Sequence, residues 1–247
     1  VVQSNINYYL KENPGAWLVY ETGYKKLFGF TGTGDVQDTL LAGLLCALCF
    51  SGLFAMERKG GMDEILACTP LGRKYTVKAK LRQSTAVAAV ISFGTVLPHL
   101  WQVLRDYGLP SLLGPAMSIS DLQAVPKFIT LSDLLIFWLI CRFAACLCMS
   151  RITLWLGQKL VNLLTALFIS AVTYCLPALL SLSGMKNGIE WLGVYPLFHA
   201  AALWQTQGGN TLWVPIFLAC AAFLLAWAIG QTLMDEYDML GVPDEVL

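Results

Sequence analysis

Five apolar runs, each long enough to cross a bilayer, dominate the chain: Thr39 to Met56, Ser84 to Trp101, Leu134 to Ser150, Leu160 to Leu182 and Leu212 to Met234. A helix rises about 1.5 Å per residue and the hydrocarbon layer is about 30 Å thick, so about 20 apolar residues make one crossing. The runs lack the period-2 alternation of strands, and in lipid every backbone N–H and C=O must be paired within its own element. With 57% apolar and only 13% charged residues, and a mean hydropathy of +0.62, the 247 residues carry more apolar surface than a soluble fold of this length buries. The expectation is an all-α polytopic membrane protein. It comprises an external segment over residues 1–36, a transmembrane domain over 37–234 and an acidic tail over 235–247.

Orientation follows from the basic residues. Arg58, Lys59, Arg73, Lys74, Lys78, Lys80 and Arg82 fall between the first two runs, and Arg151 and Lys159 in the short link between the third and fourth. The other side has Lys11, Lys25, Lys26, Arg105, Lys127 and Lys186, spread over longer segments. The positive-inside rule makes the first set cytoplasmic, which puts the N-terminal segment outside and the tail inside a plasma (inner) membrane. A chain that begins outside with Val1 and no signal peptide implies an upstream span, so the expectation is five transmembrane helices here and six in the native protein.

The loop over residues 57–82 is the most specific feature. Gly60 and Gly61 end the first span, and Asp63 and Glu64 suit the first turn of a new helix. Met62, Ile65, Leu66 and Thr69 then follow helical spacing on one side, and Pro70 stops the pattern. About two turns are too short to span lipid or to stand alone in water, so this helix must rest on something. Lys74, Lys78 and Arg82 share a face that can reach phosphate headgroups, so spacing alone also fits a simple lipid anchor.

The order Glu57, Gly60 or Gly61, Leu66, Thr69, Pro70, Leu71, Gly72, Arg73 and Lys80 resembles the cytoplasmic loop of ABC transporter permeases of the ABC-2 export type. In that family a glutamate ends one span, a short coupling helix and a Thr-Pro turn follow, and a lysine opens the next span. The resemblance implies that Glu57, Met62, Ile65, Leu66, Thr69, Pro70, Arg73 and Lys80 couple this chain to a separate ABC ATPase subunit, which holds the ATP and Mg. It further implies a second permease subunit, identical or not. This chain itself would bind no cofactor and do no catalysis. Short external helices are also usual in the family, and Val194 to Trp204, apolar but too short to cross, suits such an element. Nucleic acid is not among the expected partners; membrane lipid is.

Transport in that family follows a pathway between two permease subunits, lined by spans that correspond to the first and fourth runs here. Asn162, Thr165 and Thr173, with Ser170 and Tyr174, make the fourth run weakly polar, and the first has small residues at Gly43, Ala47 and Ser51. An apolar pathway of this kind suits an amphipathic or lipophilic substrate. Arg142, inside the third run, needs an acidic partner such as Asp133 or Glu57, or a wet cavity. The alternative function is an ATP-independent secondary transporter or channel with Arg142 in the pathway. Cys46 and Cys49 read as small packing residues in preference to a metal pair, with metal ligands expected nowhere.

Overall fold

The computed structural model describes residues 19–30, 34–62, 65, 72–109, 111–122, 125–126, 128–160, 162–183, 193–200 and 213–239; within these, the side chains of 34, 35, 58, 72–74, 213 and 236–239 are excluded. In chain order the helices are α1 (Glu21–Leu27), α2 (Gly34–Lys59), α3 (Gly72–Asp106), α4 (Leu131–Lys159), α5 (Leu163–Leu182), α6 (Tyr195–Phe198) and α7 (Trp213–Met239). Two single 3-10 turns, Ala116–Ser118 and Ser120–Leu122, lie between α3 and α4. Among the described residues there is no strand, only one isolated bridge between Pro115 and Thr130. Five helices, α2, α3, α4, α5 and α7, are long and apolar enough to cross a membrane. The chain is an all-α polytopic membrane protein.

These helices outrun the apolar stretches that announce them. The span in α3 starts at Tyr75, well before Ser84, and α4 continues through Arg151 to Lys159. Apolar content marks only the part of a helix that lipid requires, whereas backbone hydrogen bonding continues until something stops it. At 35 residues α3 is about 52 Å long and at 29 residues α4 is about 43 Å, both beyond a slab of about 30 Å. Their last turns therefore stand in the interface. Arg151, expected in a link, is helical and half-buried.

Local chemistry accounts for the helix ends. At the start of α4 the Thr130 hydroxyl accepts from the Asp133 N–H at 3.2 Å while the Asp133 carboxylate accepts from the Thr130 N–H at 3.1 Å, a complete capping box. After α2 the chain turns at Gly61, whose φ of +66° disfavours a side chain. Gly108 does the same after α3, at φ +67°.

Helix α4 is the hub, meeting α2, α7, α3, α5 and α6, and α2 packs most extensively against α5 and α4. The main core includes Phe50, Phe54, Ala88, Cys141, Ala145 and Tyr174. Close approach depends on small residues. A Cβ on Gly43 would lie 3.0 Å from the Tyr174 Cβ on α5, and one on Gly157 of α4 would lie 3.2 Å from the Ser51 carbonyl oxygen on α2. The cysteines among the described residues are all free; Cys46 is buried in the core and Cys49 faces outward.

A second core sits at the end of the bundle where α2 begins. There α1 lays Tyr24, Leu27 and Phe28 against Val96, Ile119 and Leu131, with Phe28 edge-on to Trp138 at 6.1 Å between ring centroids. Polar contacts hold it: Lys25 Nζ is 2.8 Å from Glu21, 3.1 Å from Asp121 and 2.5 Å from the Ser120 hydroxyl, and the Glu21 carboxylate accepts from the Ser120 N–H and O–H. The short helix α6 enters from the same end, burying Leu197 and Phe198 in the main core. It occupies part of the apolar run Val194 to Trp204, of which residues 201–204 lie outside the described residues.

Candidate functional site

At the opposite end, the loop after α2 is closed at its base by a side-chain clamp. Lys80 of α3 is almost wholly buried at 7% exposure, forms an ion pair with Glu57 of α2, and donates to the Leu53 carbonyl at 3.2 Å. Its ammonium lies 3.9 Å from the centre of the Phe54 ring. A desolvated cation on an aromatic face is worth about 2 kcal/mol, and the carboxylate adds a charge-assisted bond. Two residues that are 23 apart in the chain thus bind the end of α2 to the start of α3.

Beyond the clamp, Met62 and Ile65 are 52% and 64% exposed. Both are helical. Leu66, Thr69 and Pro70 lie outside the described residues. Arg73 belongs to α3, but its side chain is among those excluded. The arrangement is mechanical: two apolar side chains project from a loop whose ends are tied to each other and to two long helices.

The pathway residues do not come together. Asn162, just ahead of α5, and Thr165 and Thr173 on it are exposed, and the Thr173 hydroxyl donates back to the Ile169 carbonyl at 2.7 Å. Ser170 and Tyr174, which the sequence groups with them, point inward. The Tyr174 hydroxyl donates to the Met149 carbonyl and shares a 2.8 Å bond with Thr153. Burial divides the set: Asn162, Thr165 and Thr173 are exposed, whereas Ser170 and Tyr174, only a short way round the helix from Thr173, are covered by the neighbouring helices.

Arg142 is fully buried, and neither acid expected to pair with it does so. Asp133 is occupied in the α4 cap and Glu57 in the clamp. The partner is Asp38 of α2, at 2.5 Å, with a side chain 15% exposed. Trp138 and Phe198 place their rings 4.1 and 5.6 Å from the guanidinium carbon, so α2, α4 and α6 all contribute to its enclosure. Arg142 lies 17 residues, about 26 Å, from the Lys159 end of α4. It cannot reach that end; it belongs to the half of the bundle where α2 begins. Asp38 was legible in principle, as an acid just ahead of the first apolar run in a chain with one cation buried in an apolar run.

His99 and His199 serve separate contacts. His99 Nε2 lies 3.3 Å from the Lys26 carbonyl, and His199 Nε2 lies 2.5 Å from the Tyr195 hydroxyl. Among the described residues no cluster of three potential metal ligands occurs.

No protein family, curated protein or solved structure matches this chain. The fold and the charged contacts define a polytopic helical membrane protein with a clamped loop at one end and a buried ion pair toward the other.

Proposed function

We propose that this chain is the membrane permease subunit of an ATP-driven ABC exporter. The observation that carries the reading is the Glu57–Lys80 clamp with Met62 and Ile65 exposed beyond it. A loop that receives force from a soluble partner needs an apolar contact surface at its tip and a rigid connection to the spans at its base. A separate ATPase subunit docks on Met62 and Ile65, with Leu66, Thr69, Pro70 and Arg73 completing the coupling element. Its ATP-driven closure displaces the loop, and the clamp passes that displacement to α2 and α3 together. Alternating access then moves an amphipathic or lipophilic substrate between this subunit and a second permease subunit, whose contact includes the outward face of α5 with Asn162, Thr165 and Thr173. The loop and tail lie on the cytoplasmic side of the plasma (inner) membrane in this reading.

The rival reading, a secondary transporter or channel, requires Arg142 to face the pathway. Its pairing with Asp38 and enclosure between two rings favour a structural role instead.

The test is affinity purification of the tagged protein from its native membrane. The expected result is an ATPase subunit that co-purifies with wild type and is lost with Met62→Asp combined with Ile65→Asp, while the variant still inserts. Absence of any ATPase from the wild-type sample, under conditions that preserve known complexes, would overturn the assignment.

A further inference from the structure

Away from the clamp and the Asp38–Arg142 pair, a further arginine is held in the helix packing with no acid beside it among the described residues. Arg151 of α4 donates through Nη2 to the Thr85 hydroxyl of α3 at 2.8 Å, while its Nη1 is shut off from water and makes no hydrogen bond. Among the described residues no carboxylate pairs with it. The same side chain walls an open-sided groove of about 420 Å³ between α4 and α7, completed by Leu147, Phe223, Leu224, Ala226 and Trp227. Leu224 and Trp227 are each 65% exposed, so the groove opens on the outer surface of the bundle.

Three helices independently place this groove at the membrane boundary on the clamp side. Thr85 follows the exposed Arg82 and Gln83 by less than one turn of α3. Trp227 precedes the exposed Gln231 and Thr232 by about one turn of α7, and tryptophan is enriched at this depth. Arg151 stands eight residues from the end of α4, the helix that is about 13 Å longer than the slab. A guanidinium that walls an apolar trough at headgroup depth, with no carboxylate partner among the described residues, matches a phosphate with an acyl chain attached. Among the described residues no acid lines the groove to meet an ammonium group, which favours a headgroup with net negative charge. Water-soluble phosphate would have no use for the apolar wall.

We propose that this groove binds one anionic phospholipid, with its phosphate on Arg151 and one acyl chain along Phe223, Leu224 and Trp227. The site rests on the membrane-spanning fold alone and is independent of the transport assignment.

The test is native mass spectrometry of the full chain in detergent with added dioleoyl phosphatidylglycerol or dioleoyl phosphatidylcholine. One interfacial cation gives about a fivefold preference for the anionic lipid. Arg151→Gln is expected to bring that ratio to about 1, and Arg82→Gln, an exposed cation close in sequence to Thr85, to leave most of it. A second measurement needs no change at Arg151. The Trp227 emission, taken as wild type minus Trp227→Phe in vesicles, should be quenched more by brominated phosphatidylglycerol than by the same mole fraction of brominated phosphatidylcholine. Equal quenching by the two lipids, a preference that survives Arg151→Gln, displacement of the lipid by inorganic phosphate, or a lipid-free dimer dissolved by Arg151→Gln would each overturn the proposal.

Discussion

Replacing Asp38 by Leu removes the carboxylate from a guanidinium that has no exposure to solvent. Loss of one member of a buried ion pair costs about 3–5 kcal/mol, because the remaining charge keeps its desolvation penalty without its partner. The Trp138 and Phe198 rings stay in place and offset part of this, about 1–2 kcal/mol, which leaves an expected destabilisation of about 3 kcal/mol. Arg142→Met removes the opposite member. Asp38 then remains partly exposed near the start of α2 and can recruit water, so the cost is smaller, about 2 kcal/mol. The double variant Asp38→Leu with Arg142→Met buries no charge at all and should lie within about 1 kcal/mol of wild type. The measurement is reversible unfolding in mixed micelles of a mild detergent and dodecyl sulfate, followed by far-ultraviolet circular dichroism for all four proteins. The single effects must fail to add. A coupling below about 0.5 kcal/mol, the level of independent sites, would refute the view that this pair acts as one unit joining α2 to α4.

Gly43→Val drives a branched side chain into Tyr174 and should destabilise the α2–α5 contact by about 1–3 kcal/mol in the same unfolding assay, whereas Gly94→Ala, with nothing within 4 Å of its Cβ, should be tolerated. At alkaline pH the α1 segment should loosen first. The pKa of Lys25 is raised above its ordinary value, chiefly by its hydrogen bond to Glu21, so this stabilisation is complete below the unfolded-state value and is lost as pH rises through the folded one. Amide exchange over Glu21–Leu27 should therefore accelerate, relative to α4, as pH passes above the usual lysine range, and Lys25→Met should remove that step.

The spans were legible because lipid demands a property that a linear scan detects, about 20 apolar residues in succession. Helix ends were less so. Nothing in the hydropathy of Arg151 to Lys159 distinguishes an interfacial helical turn from a link, and capping at the far end of α3 or α4 depends on local hydrogen bonds. The loop residues Glu57 and Lys80 were singled out by resemblance, but their mutual contact and the Phe54 ring beneath the ammonium depend on how α2 lies against α3. The α5 residues show the same limit in another form, since weak polarity identified all five while only helix packing divided them into Ser170 and Tyr174 within and Asn162, Thr165 and Thr173 without.

By itself the sequence determined that this chain is helical, that it lives in a membrane, and that Arg142 must be compensated, because each follows from the cost of exposing apolar groups to water or polar groups to lipid. Those costs are additive along the chain and need no knowledge of neighbours. Which acid compensates Arg142 was decided only by tertiary structure: Asp38 lies 104 residues away, and Asp133 and Glu57 are taken by a helix cap and a lysine. The same holds for Arg151, whose missing acid and apolar groove exist only once α3, α4 and α7 are packed together. An ion pair forms at distances of a few ångströms, and the packing of helices, set by side-chain shape at positions such as Gly43 and Gly157, alone determines which charges come that close.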